Sequence, residues 1–311
     1  MSRVLITGPS GFLGRHCLQR LILEDCEIHA VNSRGVGISS DRVRWYAADL
    51  RDPSAAQALV AAIRPTHLLH LAWEATPRLY NQSPNNFHWL QASVAMALAF
   101  GEHGGRRFVG VGSSAEYEAR DEPCVEDETP IRPSSIYGKC KVACWYGVSA
   151  AAQHYRFSAA WGRVFLPYGP GDPAARLIPS VMAALQEKRP VETTHGGQLR
   201  DFVYAPDAAD LLVRLLFSSE TGVFNIGTGC GTTIRTVIEY LADRCCGHHL
   251  LRFGALAPPD GEPLQLMADM TKSMEKLGWV PATSITDGLD RSLAEATRAQ
   301  IGVVPASRDG E

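Results

Sequence analysis

A glycine-rich turn near the amino terminus constrains the fold of this chain more than any other feature. The sequence VLITGPSGFLG places glycines at positions 8, 11 and 14 between an apolar run and a helix-like stretch. Glycine permits a tight turn and a close approach of backbone to a ligand, and a helix N-terminus offers unpaired N–H groups to an anion. The turn therefore predicts a dinucleotide pyrophosphate site, to which we assign Thr7, Gly8, Gly11, Phe12, Leu13 and Gly14.

The first 165 residues alternate short apolar runs with helical patterns. The predicted strands are 3–8, 27–32, 43–48, 67–72, 107–113 and 157–165, and the predicted helices are 12–24, 53–63, 87–103 and 136–153. Strict alternation is typical of a parallel sheet covered by helices on both faces. We therefore predict an α/β fold with a Rossmann-type doubly wound parallel sheet over residues 1–165.

The pattern changes after about residue 170, where Gly and Pro become denser around a predicted helix near 176–187. We expect residues 166–301 to form mainly a smaller C-terminal α/β lobe that binds substrate. Later segments, such as 196–230, are expected to return to the first lobe. Residues 302–311 are expected to form a flexible tail.

Charge and composition exclude several classes of protein. The 30 basic and 33 acidic side chains are well mixed, without the basic stripe of a nucleic-acid-binding surface. No apolar run reaches the roughly 18 residues of a membrane span. The eight cysteines form neither a CxxC pair nor a Cys/His cluster with metal-ligand spacing. We expect a cytoplasmic protein with reduced thiols, no metal and a small-molecule substrate.

The end of the second predicted strand usually distinguishes NAD from NADP. An acid about 20 residues after the glycines would bind the adenosine ribose of NAD. This chain has Asn32, Ser33 and Arg34 there, so no carboxylate would repel a 2′-phosphate and Arg34 could pair with one. The sequence therefore favours NADP(H) over NAD(H).

A second group of residues is suited to carbonyl–alcohol redox chemistry. Tyr137 and Lys141 are four residues apart at the start of a predicted helix, so they share one face. Ser113 and Ser114 lie where the fifth predicted strand ends, at the edge where such sheets bind ligands. A nearby ammonium can lower the pKa of a phenol, and a serine hydroxyl can orient a substrate oxygen.

The chain resembles the extended short-chain dehydrogenase/reductases, which include nucleotide-sugar epimerases, dehydratases and ketoreductases. The resemblance rests on TGPSGFLG (7–14), AADL (47–50), HLAW (70–73), SSAEY (113–117) and YGKCK (137–141), and continues to LGWVP (277–281). It implies that Tyr137 is the acid/base, that Lys141 is its partner, and that Ser113, four residues before Tyr117, is the active-site serine. It also implies a homodimer and further ligand contacts: Asp49 and Leu50 at the adenine, Leu71, Ala72 and Trp73 along the cofactor, and Ser114, Arg176 and Arg200 toward the substrate, with Arg200 on its diphosphate.

Departures from the family pattern bear on the reaction. The 4,6-dehydratases carry an acid one or two residues after the active-site Ser/Thr, where this chain has Ser114 and Ala115. The first carboxylate, Glu116, comes one place later. Leu166 replaces a frequent asparagine, and PPDGEP (258–263) lacks a frequent arginine. The expected function is a nucleotide-sugar 4-ketoreductase. The alternatives are a 4-epimerase that keeps its NAD, a 4,6-dehydratase, or a non-catalytic dinucleotide-sensing regulator.

The segment 71–90 is rich in aromatic and amide side chains and allows two interpretations. Its aromatic and histidine residues could form a wall of the substrate site, or they could fill the core between a loop and a helix. The candidates are Trp73, Tyr80, His88 and Trp89.

Overall fold

The computed structural model describes residues 1–38, 40–77, 79–259 and 261–301. The strands are β1 (Ser2–Thr7), β2 (Cys26–Asn32), β3 (Val43–Ala47), β4 (His67–His70), β5 (Arg107–Ser113), β6 (Ser158–Val164), β7 (Leu166–Tyr168), β8 (Val191–Thr193), β9 (Leu199–Tyr204), β10 (Gly222–Ile226), β11 (Gly231–Thr233), β12 (Leu251–Phe253) and β13 (Gln265–Leu266). The helices are α1 (Phe12–Leu21), α2 (Pro53–Ile63), α3 (Asn85–Glu102), α4 (Ile136–Tyr155), α5 (Leu177–Gln186), α6 (Ala205–Phe217), α7 (Ile234–Arg244), α8 (Thr271–Leu277) and α9 (Ile285–Ile301).

A large parallel sheet dominates the described residues. Its strand order is β10-β6-β5-β4-β1-β2-β3, and every neighbouring pair is parallel. The predicted Rossmann-type sheet is therefore confirmed. The direction of winding reverses between β1 and β4, which opens a crevice at the carboxyl ends of these two strands.

Apolar side chains cover both faces of this sheet, as continuous hydrophobic strands require. One face packs on α1 and α6 through buried residues such as Leu18, Leu212 and Phe224. The opposite face packs on α2, α3 and α4, with Phe100 and Trp161 among its largest buried side chains. Two layers of helices thus pack against the strands that border the crevice.

Local signals explain the boundaries of α2 and α4. The Asp52 side chain accepts a hydrogen bond from the Ser54 N–H at the start of α2, and Ser135 accepts one from the Gly138 N–H at the start of α4. Caps of this kind stabilise a helix by about 1 kcal/mol. Both helices end at an arginine with positive φ, Arg64 and Arg156.

The second lobe is built on a smaller sheet in which β9 pairs with β7, β11 and β13. The sequence predicts that 196–230 returns to the first lobe. In the structure, α6 and β10 belong to the first lobe, whereas β9 lies in the small sheet. The reason is that Phe202 and Tyr204 of β9 pack into the second lobe's own core with α5 and α7.

Two expectations about the chain bear on the described residues only in part. No described helix combines the length and apolarity needed to cross a membrane. The expected tail, 302–311, lies outside the described residues.

A buried hydrogen-bonded chain joins β1 to β4 at the crevice. The Thr7 Oγ1 accepts hydrogen bonds from the Leu71 N–H (3.1 Å) and the Ala72 N–H (3.0 Å), so its own hydrogen points to His70 Nδ1 (2.9 Å). The His70 Nε2–H then donates to Ser93 Oγ (2.8 Å). Because these N–H groups turn to Thr7, β4 ends at His70 and not at the predicted residue 72. Burial lowers the pKa of His70 to about 3.

The lowered pKa of His70 predicts that the free energy of unfolding depends on pH. The unfolded chain takes up this proton near pH 6.5 and the folded chain only near pH 3, so acidification between these values favours unfolding. His70→Gln should reduce the slope of unfolding free energy against pH in that window by up to about 1.4 kcal/mol per pH unit. Urea titrations from pH 7 to pH 4 measure this slope. The exposed His88→Gln should leave it unchanged, and an equal slope in the His70 variant would contradict the assignment.

Candidate active site

A cleft of about 980 Å³ runs along the carboxyl ends of the parallel strands and between the two lobes. Most residues assigned from the sequence meet in it: Gly8, Gly11, Phe12, Leu13, Gly14, Asn32, Ser33, Asp49, Leu50, Leu71, Ala72, Trp73, Ser113, Tyr137, Lys141 and Arg176. Thr7, Arg34, Ser114 and Arg200 are not among the residues that line it.

The glycine turn is a cradle that side chains would fill. A Cβ added at Gly14 would lie 2.0 Å from the Gly8 carbonyl oxygen, and one added at Gly8, which has φ +67°, would lie 2.9 Å from Cα of Ala72. Gly11 precedes α1 without any side-chain cap, so the first N–H groups of the helix face the cleft unshielded. The turn therefore fits the pyrophosphate of a dinucleotide. Thr7 contributes indirectly, because its hydroxyl holds Leu71 and Ala72 in place.

At the end of the cleft lined by Asn32, Ser33 and Asp49, the arginine in the lining is not the predicted one. Asn32 shapes the loop, since its Oδ1 accepts from the N–H groups of Arg34 (2.9 Å) and Gly35 (2.7 Å). Arg34 is exposed and lies outside the lining. Arg51, which the sequence reasoning missed, lines the cleft and donates to Asp49 from Nε (2.9 Å) and Nη2 (2.7 Å). Its position directly after the AADL motif was the available signal.

The catalytic candidates converge from β5 and α4. Ser113 ends β5, and Tyr137 and Lys141 lie one turn apart at the start of α4. The Lys141 Nζ donates to the Val111 carbonyl (2.8 Å) and lies 3.9 Å from the ring centroid of Trp73 but 5.7 Å from that of Tyr137. Burial lowers the pKa of Lys141 to about 8.

Burial dominates the pKa of Tyr137 in the protein without cofactor. The sequence predicts that Lys141 lowers the pKa of this phenol. In the protein alone burial raises the pKa of Tyr137, the nearby Tyr80 raises it further, and the Ser113 hydroxyl only partly offsets them. The Lys141 Nζ makes its close contacts with Val111 and Trp73 and lies 5.7 Å from the ring centroid of Tyr137. Tyr137 therefore carries its proton at neutral pH in the protein alone.

Glu116 faces the interior of the protein. It is fully buried, and its Oε1 accepts from the Ser113 N–H (2.9 Å) and from the Trp161 Nε1–H (3.0 Å). Its Oε2 accepts from Arg163 Nε (2.7 Å), and this guanidinium also lies 4.5 Å from the ring of Tyr117. The carboxylate thus fixes the backbone of Ser113 and is fully engaged by hydrogen-bond donors.

The residues predicted to contact substrate are placed differently. Arg176 lines the cleft and pairs with Asp172 (3.0 Å). Burial raises the pKa of Asp172 to about 6. Arg200 lies in the second lobe, where its Nη2 donates to Glu262 (2.7 Å), because a buried guanidinium requires a partner. Ser114 is buried at the start of the short 3-10 helix Ser114–Glu116.

Aromatic side chains surround Tyr137 and Lys141. Tyr80 and Trp89 line the cleft with Trp73, whereas His88 is exposed and outside the lining. The ring of Tyr80 lies edge-on to that of Tyr137, with 4.8 Å between centroids. Leu166 and Phe202 border the same end from the second lobe. The described residues contain no cluster of His, Cys, Asp and Glu suited to a metal ion.

The fold and the glycine cradle define a Rossmann-type dinucleotide-binding protein. The chain belongs to the NAD dependent epimerase/dehydratase family, whose model matches residues 4–227. The family predicted from the motifs is confirmed.

Relatives across nearly the whole chain act on nucleotide sugars. The chain is 25% identical to the UDP-glucose 4-epimerase of Streptomyces lividans, over 90% of this chain and 92% of that one. It is 25% identical to UDP-glucuronic acid decarboxylase 5 of Arabidopsis thaliana, over 97% and 91%. The structure of the Thermus thermophilus UDP-glucose 4-epimerase in complex with NAD superposes with a TM-score of 0.85 at 25% identity, covering 97% of this chain and 100% of that one.

The buried Glu116–Arg163 pair predicts a large effect on stability. Glu116→Gln leaves the Arg163 charge buried without a counter-ion, which should lower the free energy of unfolding by about 3–5 kcal/mol. Denaturant unfolding measures the loss. Glu118→Gln is the matched control, because Glu118 pairs with Arg132 at the surface and exposed pairs contribute at most about 1 kcal/mol. Equal losses in both variants would contradict the pairing.

Proposed function

We propose that this protein is an NAD(P)-dependent oxidoreductase that reduces the 4-keto group of a nucleotide-linked hexose. The observation that carries the proposal is the convergence of Ser113, Tyr137 and Lys141 in the cleft that holds the glycine cradle. A nicotinamide bound in this cleft would supply hydride. Tyr137 donates a proton to the carbonyl oxygen, the Lys141 ammonium stabilises the resulting phenolate, and Ser113 orients the sugar.

The state of the carboxylates supports hydride chemistry without dehydration. Removal of water from a sugar requires an acid or base beside the reacting carbons. Of the carboxylates that line the cleft in the described residues, Asp49 pairs with Arg51 and Asp172 pairs with Arg176. Glu116 lies outside the lining and pairs with Arg163. Ala115 follows Ser114 at the position where the dehydratases carry an acid.

A 4-epimerase is the second candidate, favoured by the similarity to UDP-glucose 4-epimerases along the whole chain. The same three side chains would serve both reactions. The cofactor content of the purified protein distinguishes the two functions. An epimerase regenerates its cofactor and keeps NAD tightly bound, whereas a reductase releases the oxidised cofactor after each turnover.

We further propose that Arg176 contacts the substrate diphosphate in preference to Arg200, since its guanidinium reaches the cleft while that of Arg200 is held by Glu262.

A homodimer through α3 and α4 is also proposed. These helices expose Phe87, Leu98 and Tyr146, and light scattering of the purified protein would detect the dimer.

Tyr137→Phe tests the proposed reaction. Removal of the phenolic proton should lower kcat for NADPH-dependent reduction of a 4-keto sugar nucleotide by about 10²- to 10⁴-fold. The affinity for NADPH should stay within about twofold, since cofactor affinity rests on the glycine cradle. Tyr155→Phe on the same helix is the control, because its hydroxyl contacts Glu102 at the surface. Undiminished turnover in Tyr137→Phe, or no turnover of any 4-keto sugar nucleotide by the wild-type protein, would contradict the proposal.

The NADP(H) preference rests on the lack of a carboxylate at Asn32–Arg34 and on Arg51 in the lining. Wild-type protein should bind NADPH more tightly than NADH. Arg51→Ala should weaken NADPH binding by about tenfold or more, because it removes a charge-assisted contact. The same substitution should change the affinity for NADH little. Nucleotide fluorescence titrations measure both affinities. The exposed Arg132→Ala serves as the control. Tighter binding of NADH by the wild-type protein would assign NAD instead.

A further inference from the structure

The ammonium of Lys141 is held between two partners. It donates to the Val111 carbonyl on one side, and the face of the Trp73 indole covers it on the other, at 3.9 Å from the ring centroid. Lys141 as a whole is only 4% exposed. A cation over an indole face is attracted by the ring quadrupole, and the indole also excludes water. The position of Trp73 therefore determines how well Lys141 is shielded.

The indole of Trp73 is itself anchored by a buried amide. Its Nε1–H donates to Asn86 Oδ1 (2.8 Å), and Asn86, at the start of α3, is 1% exposed. Asn86 does not line the cleft. It therefore reaches the reacting groups only through the side chains that it holds.

The same amide also anchors Tyr80. Asn86 Nδ2 donates to the carbonyl oxygens of Tyr80 (2.6 Å) and Ser83 (2.8 Å), which fixes the short helix Tyr80–Gln82. From there the Tyr80 ring contacts Tyr137 edge-on, and Trp73 contacts Tyr137 in a second edge-on pair with 6.4 Å between centroids. One amide thus ties together the two aromatic walls beside Tyr137 and Lys141.

We propose that Asn86 is a positioning residue, which anchors Trp73 over the Lys141 ammonium and Tyr80 against Tyr137. The importance of this arrangement for turnover rests on the proposed function, but the shielding of Lys141 does not. Without the amide, the indole is free to leave the ammonium, and water and small reagents gain access to Lys141.

Amine labelling tests the shielding directly. The chain has five lysines, and Lys139, Lys188 and Lys276 are exposed, so each molecule carries its own reference. The protein would be treated with acetic anhydride at pH 8, and modification of each lysine would be followed by peptide mass spectrometry. Asn86→Leu should raise the labelling rate of Lys141 relative to Lys139 by roughly tenfold, the equivalent of one buried hydrogen bond.

Two further variants establish that Asn86 acts through Trp73. Trp73→Leu should also raise Lys141 labelling, and the double variant should exceed neither single variant, because both remove the same shield. Trp89→Phe changes a different aromatic side chain that lines the cleft and should leave labelling unchanged. If Asn86→Leu lacks a cooperative thermal transition, the smaller polar variant Asn86→Ser takes its place with the same expectation.

The outcomes separate this inference from the proposed function. Unchanged Lys141 labelling in a folded Asn86 variant, or multiplicative effects of the two substitutions, would overturn the inference even if the enzyme reduces 4-keto sugars normally. Failure of the wild-type protein to reduce any such sugar would contradict the proposed function, while faster labelling of Lys141 in the Asn86 variant would still support the anchoring role.

Discussion

The cleft depends on one steric constraint, the close approach of the turn after β1 to the end of β4 and to the start of α1. Side chains at Gly8 or Gly14 would collide with Ala72 or with the Gly8 carbonyl. The Thr7 hydroxyl then draws the N–H groups of Leu71 and Ala72 toward β1. The helix N-terminus, the Leu71–Trp73 segment and the crevice between them all follow from this contact, so the site for an anion is formed by backbone.

The chemistry of the site follows from burial and pairing. Tyr137 and Lys141 lie behind aromatic side chains. Burial raises the pKa of the Tyr137 phenol and lowers the pKa of the Lys141 ammonium, so it favours the neutral form of both groups. The nearby Glu116 is engaged by Arg163 and Trp161 and does not line the cleft. Ser113, Tyr137 and Lys141 thus place a hydroxyl, a proton donor and an ammonium together, and reduction of a carbonyl would further require a hydride donor such as a bound nicotinamide.

Much of this architecture could be predicted from the sequence, because alternation of strands and helices and the spacing of Gly8, Gly11 and Gly14 are local patterns. The lining role of Tyr137, Lys141 and Ser113 also followed from spacing along one helix and one strand end. The partners of Arg200 and Glu116 could not be predicted, since Glu262 and Arg163 are distant in sequence and only tertiary packing brings them close. Asn86 gave no signal either, because a buried asparagine in a helix has no characteristic spacing.

The central claim is hydride transfer to C4 of the sugar without loss of water. The most direct test supplies a 4-keto hexose nucleotide together with NADPH deuterated at the transferable position, and the product is analysed by NMR and mass spectrometry. We predict a product that retains all its oxygen atoms, carries a single deuterium at C4 and forms in step with NADPH oxidation. A product that has lost water, or one without deuterium at C4, would contradict the claim.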